Sequence, residues 1–180
     1  MTIDVREPAE SQESTLRRFR KGSPPDADAL CEVRELALRA TGVRTYTPRQ
    51  LDAWVRSRDP ASFASALSGD DEIFIVAEDD DDPSRLSGFA SVIVKGRPHL
   101  WSLYVHPSRQ GRGIGRRLLG AAEAECRALR LNQLNVAAVL TAATFYEAVG
   151  YRLVCEFYAD LSSGGSEATL ITLKHYFKRL

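Results

Sequence analysis

The sequence predicts an α/β or α+β domain built on a mixed sheet, and three features of its pattern indicate this class. Helix-start signals fill the first third of the 180-residue chain. Short apolar runs typical of strands follow between residues 72 and 105. Strand and helix patterns then alternate to the C-terminus, as in a layered domain. We therefore expect a flexible tail over residues 1–13 and a single domain over residues 14–180.

Proline-containing signals mark the helices in the first part of the domain, after a short strand predicted around residues 16–20. Ser23-Pro24-Pro25-Asp26 places an N-cap before two prolines and an acid in the first turn, and that helix should end at Gly42. Thr47-Pro48-Arg49-Gln50 is a capping box with proline at the first helical position. Asp59-Pro60 starts a third, shorter helix that should end near Gly69.

The rest of the chain reads as strands, one long helix and one short helix. Strands are predicted over residues 72–78, 88–94 and 99–105, with an acidic loop, Asp79 to Asp82, in the first connection. A long helix over 113–129 precedes a strand at 133–140, a helix at 141–149, and strands at 151–159 and 168–176 around the loop 162–165. The buried stripe of the long helix is predicted to consist of Ile114, Leu118, Ala122, Cys126 and Leu129.

Composition excludes several classes of protein. Hydrophobic residues make up 44% and charged residues 27% of the chain, which is ordinary for a globular domain. Lys and Arg together number 24, and Asp and Glu together number 24, so the formal net charge is zero. A neutral chain gives no support to nucleic acid or a membrane as partner. The three cysteines lie far apart, which indicates reduced thiols, and residues 1–13 do not resemble a signal peptide. We expect a cytoplasmic protein without a metal site.

The segment from Leu103 to Leu119 carries the chemistry. A strand ends at Val105, a turn with proline follows, and glycines at 111, 113 and 115 lead into the long helix. Missing Cβ atoms let a ligand approach backbone amides, and the first amides of a helix attract an anion such as a pyrophosphate. The surrounding positive charge comes from Arg109, Arg112, Arg116 and Arg117.

The glycine spacing distinguishes between phosphate ligands. A Walker P-loop needs G-x-x-x-x-G-K-[ST], and the chain has none. A dinucleotide-binding G-x-G-x-x-G would need glycine where Arg116 stands, and no acid for a ribose lies near Asn135. The spacing present is Q-x-x-G-x-G, from Gln110 to Gly115.

Two segments together resemble a known family. The run Leu-Tyr-Val-His-Pro-x-x-Gln-Gly-x-Gly-Ile-Gly-x-x-Leu-Leu resembles the acetyl-CoA-binding motif of the GNAT N-acetyltransferase superfamily. Phe145-Tyr146-Glu147-x-x-Gly150-Tyr151 resembles the second signature of that family. The order of elements matches over about residues 15–176, and the specific motifs lie within 99–151. The resemblance implies a mostly antiparallel mixed sheet, flanked by helices and splayed where the cofactor binds.

The resemblance also implies roles for individual residues. Tyr146 would protonate the departing coenzyme A thiolate, because a phenol is protonated at neutral pH. His99 stands where some relatives carry a glutamate base, and imidazole titrates near neutrality. Tyr46 and Trp54 lie on the segment that lines the acceptor cleft in this fold. The cofactor-binding residues implied are Leu103, Tyr104, Val105, Gln110, Gly111, Arg112, Gly113, Ile114, Gly115 and Arg116.

One residue departs from the family pattern, and several assignments keep an alternative. Many relatives carry Asn or Ser seven residues before the tyrosine, whereas this chain has Val139, which removes a side-chain hydrogen bond to the cofactor arm. An edge histidine is the favoured interpretation of His99, whereas catalysis is favoured for Tyr146 over a packed aromatic. Core packing is the alternative for Trp54. The four consecutive aspartates lack the spacing of a calcium loop, so a solvated hairpin loop is the favoured interpretation.

The expected activity is transfer of an acetyl group from acetyl-CoA to a primary amine of a small molecule or peptide, by direct attack and without a metal. The first alternative is a non-catalytic acyl-CoA-binding module of the same fold. The second is a dinucleotide-binding protein. Neither nucleic acid nor a membrane is expected as partner, and a homodimer is compatible with the resemblance.

Overall fold

The structure is a computed structural model that describes residues 19–162 and 168–180. The predicted tail 1–13, the beginning of the predicted first strand and residues 163–165 of the predicted closing loop lie outside the described residues. In chain order the elements are β1 (Phe19–Lys21), α1 (Ala27–Gly42), α2 (Pro48–Arg56), α3 (Pro60–Leu67), β2 (Glu72–Glu78), β3 (Leu86–Ile93), β4 (His99–Val105), α4 (Ile114–Ala128), β5 (Gln133–Val139), α5 (Ala143–Ala148), β6 (Arg152–Asp160) and β7 (Leu170–Arg179). Single 3₁₀ turns occupy Pro24–Asp26, Pro107–Arg109 and Leu140–Ala142.

The strands form one seven-stranded sheet in the order β1-β2-β3-β4-β5-β7-β6. Among the strands of the described residues, only the β4–β5 pair is parallel, and every other pair is antiparallel. The connection from β4 to β5 runs through α4, as a parallel pair requires. The expected class, a mixed and mostly antiparallel sheet flanked by helices, is therefore confirmed.

The helices are placed by the local signals in the sequence. Thr47 and Asp59 cap α2 and α3, and each accepts a hydrogen bond from the backbone N–H three residues later. The first predicted helix differs at its start. The double proline forms a 3₁₀ turn, and the α-helix begins at Ala27.

The two faces of the sheet carry separate apolar cores. On one face, Leu118, Ala122 and Cys126 of α4 pack against the central strands. On the other face, Leu30 of α1 and Phe63 of α3 pack against β2 and β3. Burial of these apolar side chains is the main stabilising term of such a layered fold. Helix α4 and the pair α1 and α3 therefore cover opposite sides of β4.

The predicted stripe of α4 was wrong at its last position. Leu118, Ala122 and Cys126 are buried and Ile114 is partly buried, but Leu129 is 48% exposed. The helix ends at Ala128, and Leu129 has left the helical conformation, with φ −82° and ψ 7°. The helical period therefore no longer determines where the Leu129 side chain points.

A one-residue bulge interrupts β4. Ser91 of β3 pairs with Ser102 of β4, whereas the next residue, Val92, pairs with Leu100, so Trp101 is the extra residue. The parallel pairing of β4 with β5 also ends here, with Leu100 opposite Val136. Beyond this point the two strands separate, and the gap between them opens the site.

Candidate active site

A cleft of about 800 Å³ lies in the gap between β4 and β5, a volume typical of small-molecule sites. Its walls are residues 99–105 of β4 and 136–139 of β5. Tyr146 of α5 contributes from one side, and Arg34 of α1 and Trp54 of α2 contribute from the other. The cleft therefore passes between the strands and reaches both faces of the sheet.

The facing edges of the two strands have no partner along most of the cleft. Among the described residues, 102–105 of β4 pair only with β3, and 137–139 of β5 pair only with β7. Backbone groups on an unpaired edge can hydrogen bond to an added extended chain. An amide-containing arm such as pantetheine has the donors and acceptors that such an edge requires.

The glycine loop at one end of the cleft presents free backbone amides. Gly111 and Gly113 have φ of +76° and +79°, and a Cβ atom built at either one would meet nothing within 4 Å. Within the described chain, no backbone or side-chain acceptor receives the N–H groups of residues 111–116. These amides lie at the positive end of the 15-residue helix α4. The loop therefore fits the pyrophosphate of coenzyme A.

Gln110 holds this loop against the end of β4. Its side-chain amide donates a hydrogen bond to the carbonyl oxygen of Val105 at 3.1 Å. Both Gln110 and Gly115 line the cleft, whereas Gly111, Arg112 and Gly113 are exposed at its mouth. The glutamine thus shapes the loop, and the amides after it remain available to a ligand.

Two of the four arginines expected around the loop are engaged elsewhere. The Arg109 guanidinium forms a bidentate ion pair with Asp79, at 2.7 Å and 2.6 Å, and also contacts Asp81. The Arg117 guanidinium lies 4.4 Å from the centre of the Phe19 ring. The charge of Arg109 is therefore paired within the fold, whereas a contribution of Arg117 to a phosphate stays a prediction. Part of the acidic loop serves instead to fix the turn after β4.

Tyr146 lies in an aromatic cluster at the cleft. It is 5% exposed, and its ring stacks on Tyr176 with a centroid distance of 5.8 Å. None of the described residues forms a hydrogen bond with its hydroxyl, so this group can donate to a ligand. Burial raises the pKa of Tyr146, and the neighbouring Tyr104 phenol raises it further. The phenol is therefore protonated at neutral pH.

His99 lines the cleft at the start of β4, and its tautomer follows from its contact. Its Nδ1 lies 3.0 Å from the carbonyl oxygen of Arg97. Because a carbonyl oxygen only accepts, Nδ1 carries the proton in the neutral ring and Nε2 keeps a lone pair. The ring packs edge-on against Trp101 at 5.5 Å between centroids.

The two residues expected at the acceptor differ in their placement. Trp54 lines the cleft. Tyr46 is buried behind it, with the two rings edge-to-face at 5.5 Å, and is not among the described lining residues. The Tyr46 hydroxyl donates to the carbonyl oxygen of Thr172 at 3.0 Å. Tyr46 thus supports Trp54, and direct contact of Tyr46 with an acceptor stays a prediction.

Sequence reasoning missed two residues that matter to the cleft. Arg34 is buried in its wall, and a cation four residues after Leu30 on an apolar helix stripe was the signal that could have identified it. Asn135 donates to the Pro98 carbonyl oxygen at 3.1 Å and lies 3.0 Å from Nε2 of His175. The hydrogen bond from Asn135 of β5 to Pro98, the residue before β4, fixes the short parallel pairing of these two strands before they separate.

The comparisons with known proteins agree with this geometry. The model of a family described as acetyltransferase (GNAT) domain matches residues 43–159. The chain therefore belongs to the GNAT acetyltransferase family, whose fold is consistent with acyl-CoA-dependent acetyl transfer. A search of curated proteins found no significant match.

Several solved structures share the fold. A GCN5-related N-acetyltransferase from Rhodopseudomonas palustris is 28% identical, with a TM-score of 0.76 over 90% of this chain and 94% of that one. The PaiA N-acetyltransferase of Thermoplasma acidophilum, solved with coenzyme A, is 21% identical, with a TM-score of 0.72 over 90% and 98% of the two chains. A phosphinothricin acetyltransferase from Sinorhizobium meliloti, solved with acetyl-CoA, is 22% identical, with a TM-score of 0.64 over 90% and 87%.

Neither a membrane span nor a metal centre is found within residues 19–162 and 168–180. In this part of the chain, no helix is both long and apolar enough to cross a membrane. The same residues contain no group of three or more His, Cys, Asp or Glu side chains that could hold a metal ion.

Proposed function

We propose that the protein transfers the acetyl group of acetyl-CoA to a primary amine within a ternary complex. One observation carries this proposal. A single cleft joins the free amides before α4, two unpaired strand edges and the buried hydroxyl of Tyr146. Each of these features matches a different part of the thioester cosubstrate or of its chemistry.

The backbone would bind the cosubstrate. The amides of Gly111 to Arg116 would receive the pyrophosphate, with Arg112 and Arg116 exposed beside it. The unpaired edges of β4, at Leu103 to Val105, and of β5 would hydrogen bond to the pantetheine arm. The PaiA and phosphinothricin acetyltransferase structures were solved with coenzyme A and acetyl-CoA, which supports this choice of cosubstrate.

Two side chains would move the protons. Nε2 of His99 would accept a proton from the acceptor amine, whose nitrogen forms the new bond to the acetyl carbon as the bond from carbon to sulfur breaks. The Tyr146 hydroxyl would donate its proton to the departing sulfur. Exchange with solvent would then return a proton to Tyr146 and remove one from His99. No nucleophilic cysteine or serine takes part in this scheme.

Free-thiol release from acetyl-CoA, screened over a library of primary amines, tests the proposal. We expect amine-dependent release of coenzyme A and a mass increase of one acetyl group on the acceptor. Calorimetric titration with coenzyme A provides the parallel measurement of binding. Binding without turnover on any amine would favour the non-catalytic module, whereas tighter binding of NAD than of coenzyme A would contradict the assignment of the loop.

A further inference from the structure

Arg34 is a buried cation in the cleft wall without an acidic partner. It is 5% exposed and lies on α1 within a stripe of buried apolar residues. Its guanidinium donates to the backbone oxygens of Val55 and Trp54, at 3.0 Å and 2.7 Å, and to the Ser57 hydroxyl at 2.9 Å. No Asp or Glu of the described chain lies within 4.0 Å of it. Three neutral acceptors therefore position the charge without neutralising it.

Unlike Arg34, the charged side chains of Arg58 and Asp160 at the cleft each have partners that offset their charge. Arg58, also in the wall, pairs with both carboxylate oxygens of Glu72 at 3.0 Å and 2.7 Å. Asp160 is the one carboxylate among the described lining residues, and it accepts backbone N–H groups of Ser162 and Thr169. A buried unpaired charge is destabilising, and the C-terminal carbonyls of α2 offset this only in part.

Arg34 also has hydrogen-bonding capacity left. A guanidinium has five N–H groups, and the contacts with Val55, Trp54 and Ser57 use three of them. The Tyr104 phenol is also close to the guanidinium, which acts against the rise that burial causes in the pKa of Tyr104. That phenol is neutral as well, so it leaves the charge of Arg34 unpaired. The arginine can therefore donate to a charged ligand without losing the contacts that hold it.

The position of Arg34 identifies which ligand it faces. It reaches the cleft together with Trp54, Ser57 and Tyr104. Tyr104 packs against the core formed by α1 and α3, whereas its neighbour Leu103 packs against the core under α4. The proposed pyrophosphate loop begins α4, so Arg34 approaches the cleft from the opposite face of the sheet. With the cosubstrate held by the loop on the α4 side, as proposed, the face that carries Arg34 is the one left to the acceptor.

We infer that Arg34 binds a carboxylate of the acceptor, and that the substrates are amines carrying a carboxylate group. The inference rests on the proposed function and names its substrate class. A single unpaired cation matches a singly charged carboxylate, and a charge-assisted hydrogen bond in a buried site is a strong one. The amine of such a substrate would extend from Arg34 toward His99 and Tyr146.

Matched acceptors test the inference on the unmodified protein. α-, β-, γ- and δ-amino acids are each compared with their carboxamides, which lack the negative charge. Because the amide also lowers the pKa of the amine, kcat/KM is expressed per concentration of free amine. We expect kcat/KM to be at least about tenfold higher for the carboxylate in the pairs that react, the size expected for one hydrogen bond to a charged group. Equal kcat/KM within the pairs would overturn the inference, and so would a preference for aminoalkyl phosphonates over carboxylates.

Variants link the preference to Arg34 itself. Arg34→Gln is expected to remove the discrimination, mainly through KM for the carboxylate, while the Kd for coenzyme A stays unchanged. Arg34→Lys keeps the charge and should retain part of the preference. The matched control is Arg39→Gln on the same helix, because Arg39 is half exposed and pairs with Glu35 and Asp52.

The outcomes separate this inference from the function on which it rests. Amine-dependent turnover in which Arg34→Gln keeps the full carboxylate preference would overturn the role of Arg34 and leave acetyl transfer standing. Coenzyme A binding without turnover on any primary amine of the library would overturn the proposed function, and this inference with it. Turnover on other amines but on neither member of any pair would overturn this inference alone.

Discussion

Leu100 of β4 lies opposite Val136 of β5, and this is the last pair at which the two parallel strands meet. The residue that follows Leu100 is the bulged Trp101, which pairs with nothing on β3. The bulge and the end of pairing therefore coincide. Because a bulge bends its strand and increases the local twist, Trp101 accounts for the separation that creates the cleft.

Tyr146→Phe tests the proton donor. Loss of a general acid should lower kcat by about 10²–10⁴-fold, while the Kd for coenzyme A stays nearly unchanged because the ring packing is kept. Thiol release and calorimetry measure the two quantities. The matched control is Tyr158→Phe, an exposed tyrosine on β6, which should behave as wild type. An unchanged kcat in Tyr146→Phe would remove this residue from the mechanism.

The raised pKa of Tyr146 predicts how activity responds to alkaline pH. The protonated phenol is the active form, and burial holds its pKa above the ordinary value of 10.0. A donor with a raised pKa keeps its proton as pH rises, so kcat should show no decrease due to tyrosine up to about pH 10. A pH profile of kcat for wild type and Tyr146→Phe checks this. A decrease at lower pH that disappears in the variant would contradict it.

His99→Gln distinguishes a base from an edge histidine. If Nε2 accepts the amine proton, the variant should lose about 10²–10⁴-fold in kcat/KM, and the loss should shrink at high pH, where the amine is already deprotonated. The kcat/KM profile against pH measures this for both proteins. His106→Gln is the control, because His106 lies in the turn after β4 and contacts Ser108. A uniform small loss at every pH would instead fit a structural role.

Gly113→Asp tests the anion site. Its φ of +79° is unfavourable for other residues, and the new carboxylate would enter the open space where the pyrophosphate is proposed to bind. We expect coenzyme A binding to be lost in calorimetry. Gly120→Asp adds the same charge to the exposed part of α4, where a Cβ atom also meets nothing. That control should retain binding, and retained affinity in Gly113→Asp would contradict the loop assignment.

Asp79→Asn tests the ion pair that fixes the turn. Desolvation acts to raise the pKa of Asp79, but hydrogen bonds from the Asp81 amide, Arg109 and Ser87 outweigh it and lower the pKa from 3.8 to about 2. A depressed carboxyl pKa stabilises the fold above the unfolded value and loses that effect as pH falls from about 4 to about 2.

The free energy of unfolding, measured in urea, should therefore be about 2 kcal/mol lower for Asp79→Asn at neutral pH. The difference between the two proteins should decrease below about pH 4. Asp70→Asn changes an exposed aspartate and should stay within about 0.5 kcal/mol of wild type. A difference for Asp79→Asn that does not change with pH would contradict the ion pair as its cause.

Local signals predicted most of the elements correctly. The caps at Thr47 and Asp59 act within four residues, so they could be recognised without knowledge of the fold. The glycines of the loop act in the same local way, through their own φ angles. The last residue of the α4 stripe was mispredicted because periodicity cannot show where a helix ends.

Features that depend on distant pairing could not be predicted. The ion pair of Arg109 with Asp79 joins residues that become neighbours only when β3 pairs with β2 and β4. Arg34 acquires its role from carbonyl groups of α2, about 20 residues away in the chain. The bulge at Trp101 follows from the register of β4 against β3, and that register depends on which side chains the folded sheet buries on each face.

The bulged residue Trp101 also shifts by one position the alternation of side chains between the two faces of the sheet along β4. Leu100, Leu103 and Val105 all contact the core beneath α4, although the first interval is odd and the second is even. In a regular strand an odd interval would send the two side chains to opposite faces. A regular β4 that kept Trp101 within the pleat would exchange inside for outside in the remainder of the strand, turning Leu103 to the face that Tyr104 now occupies. The bulge at Trp101 therefore decides whether the Arg34 side of the sheet carries a phenol or a hydrocarbon at this point of β4.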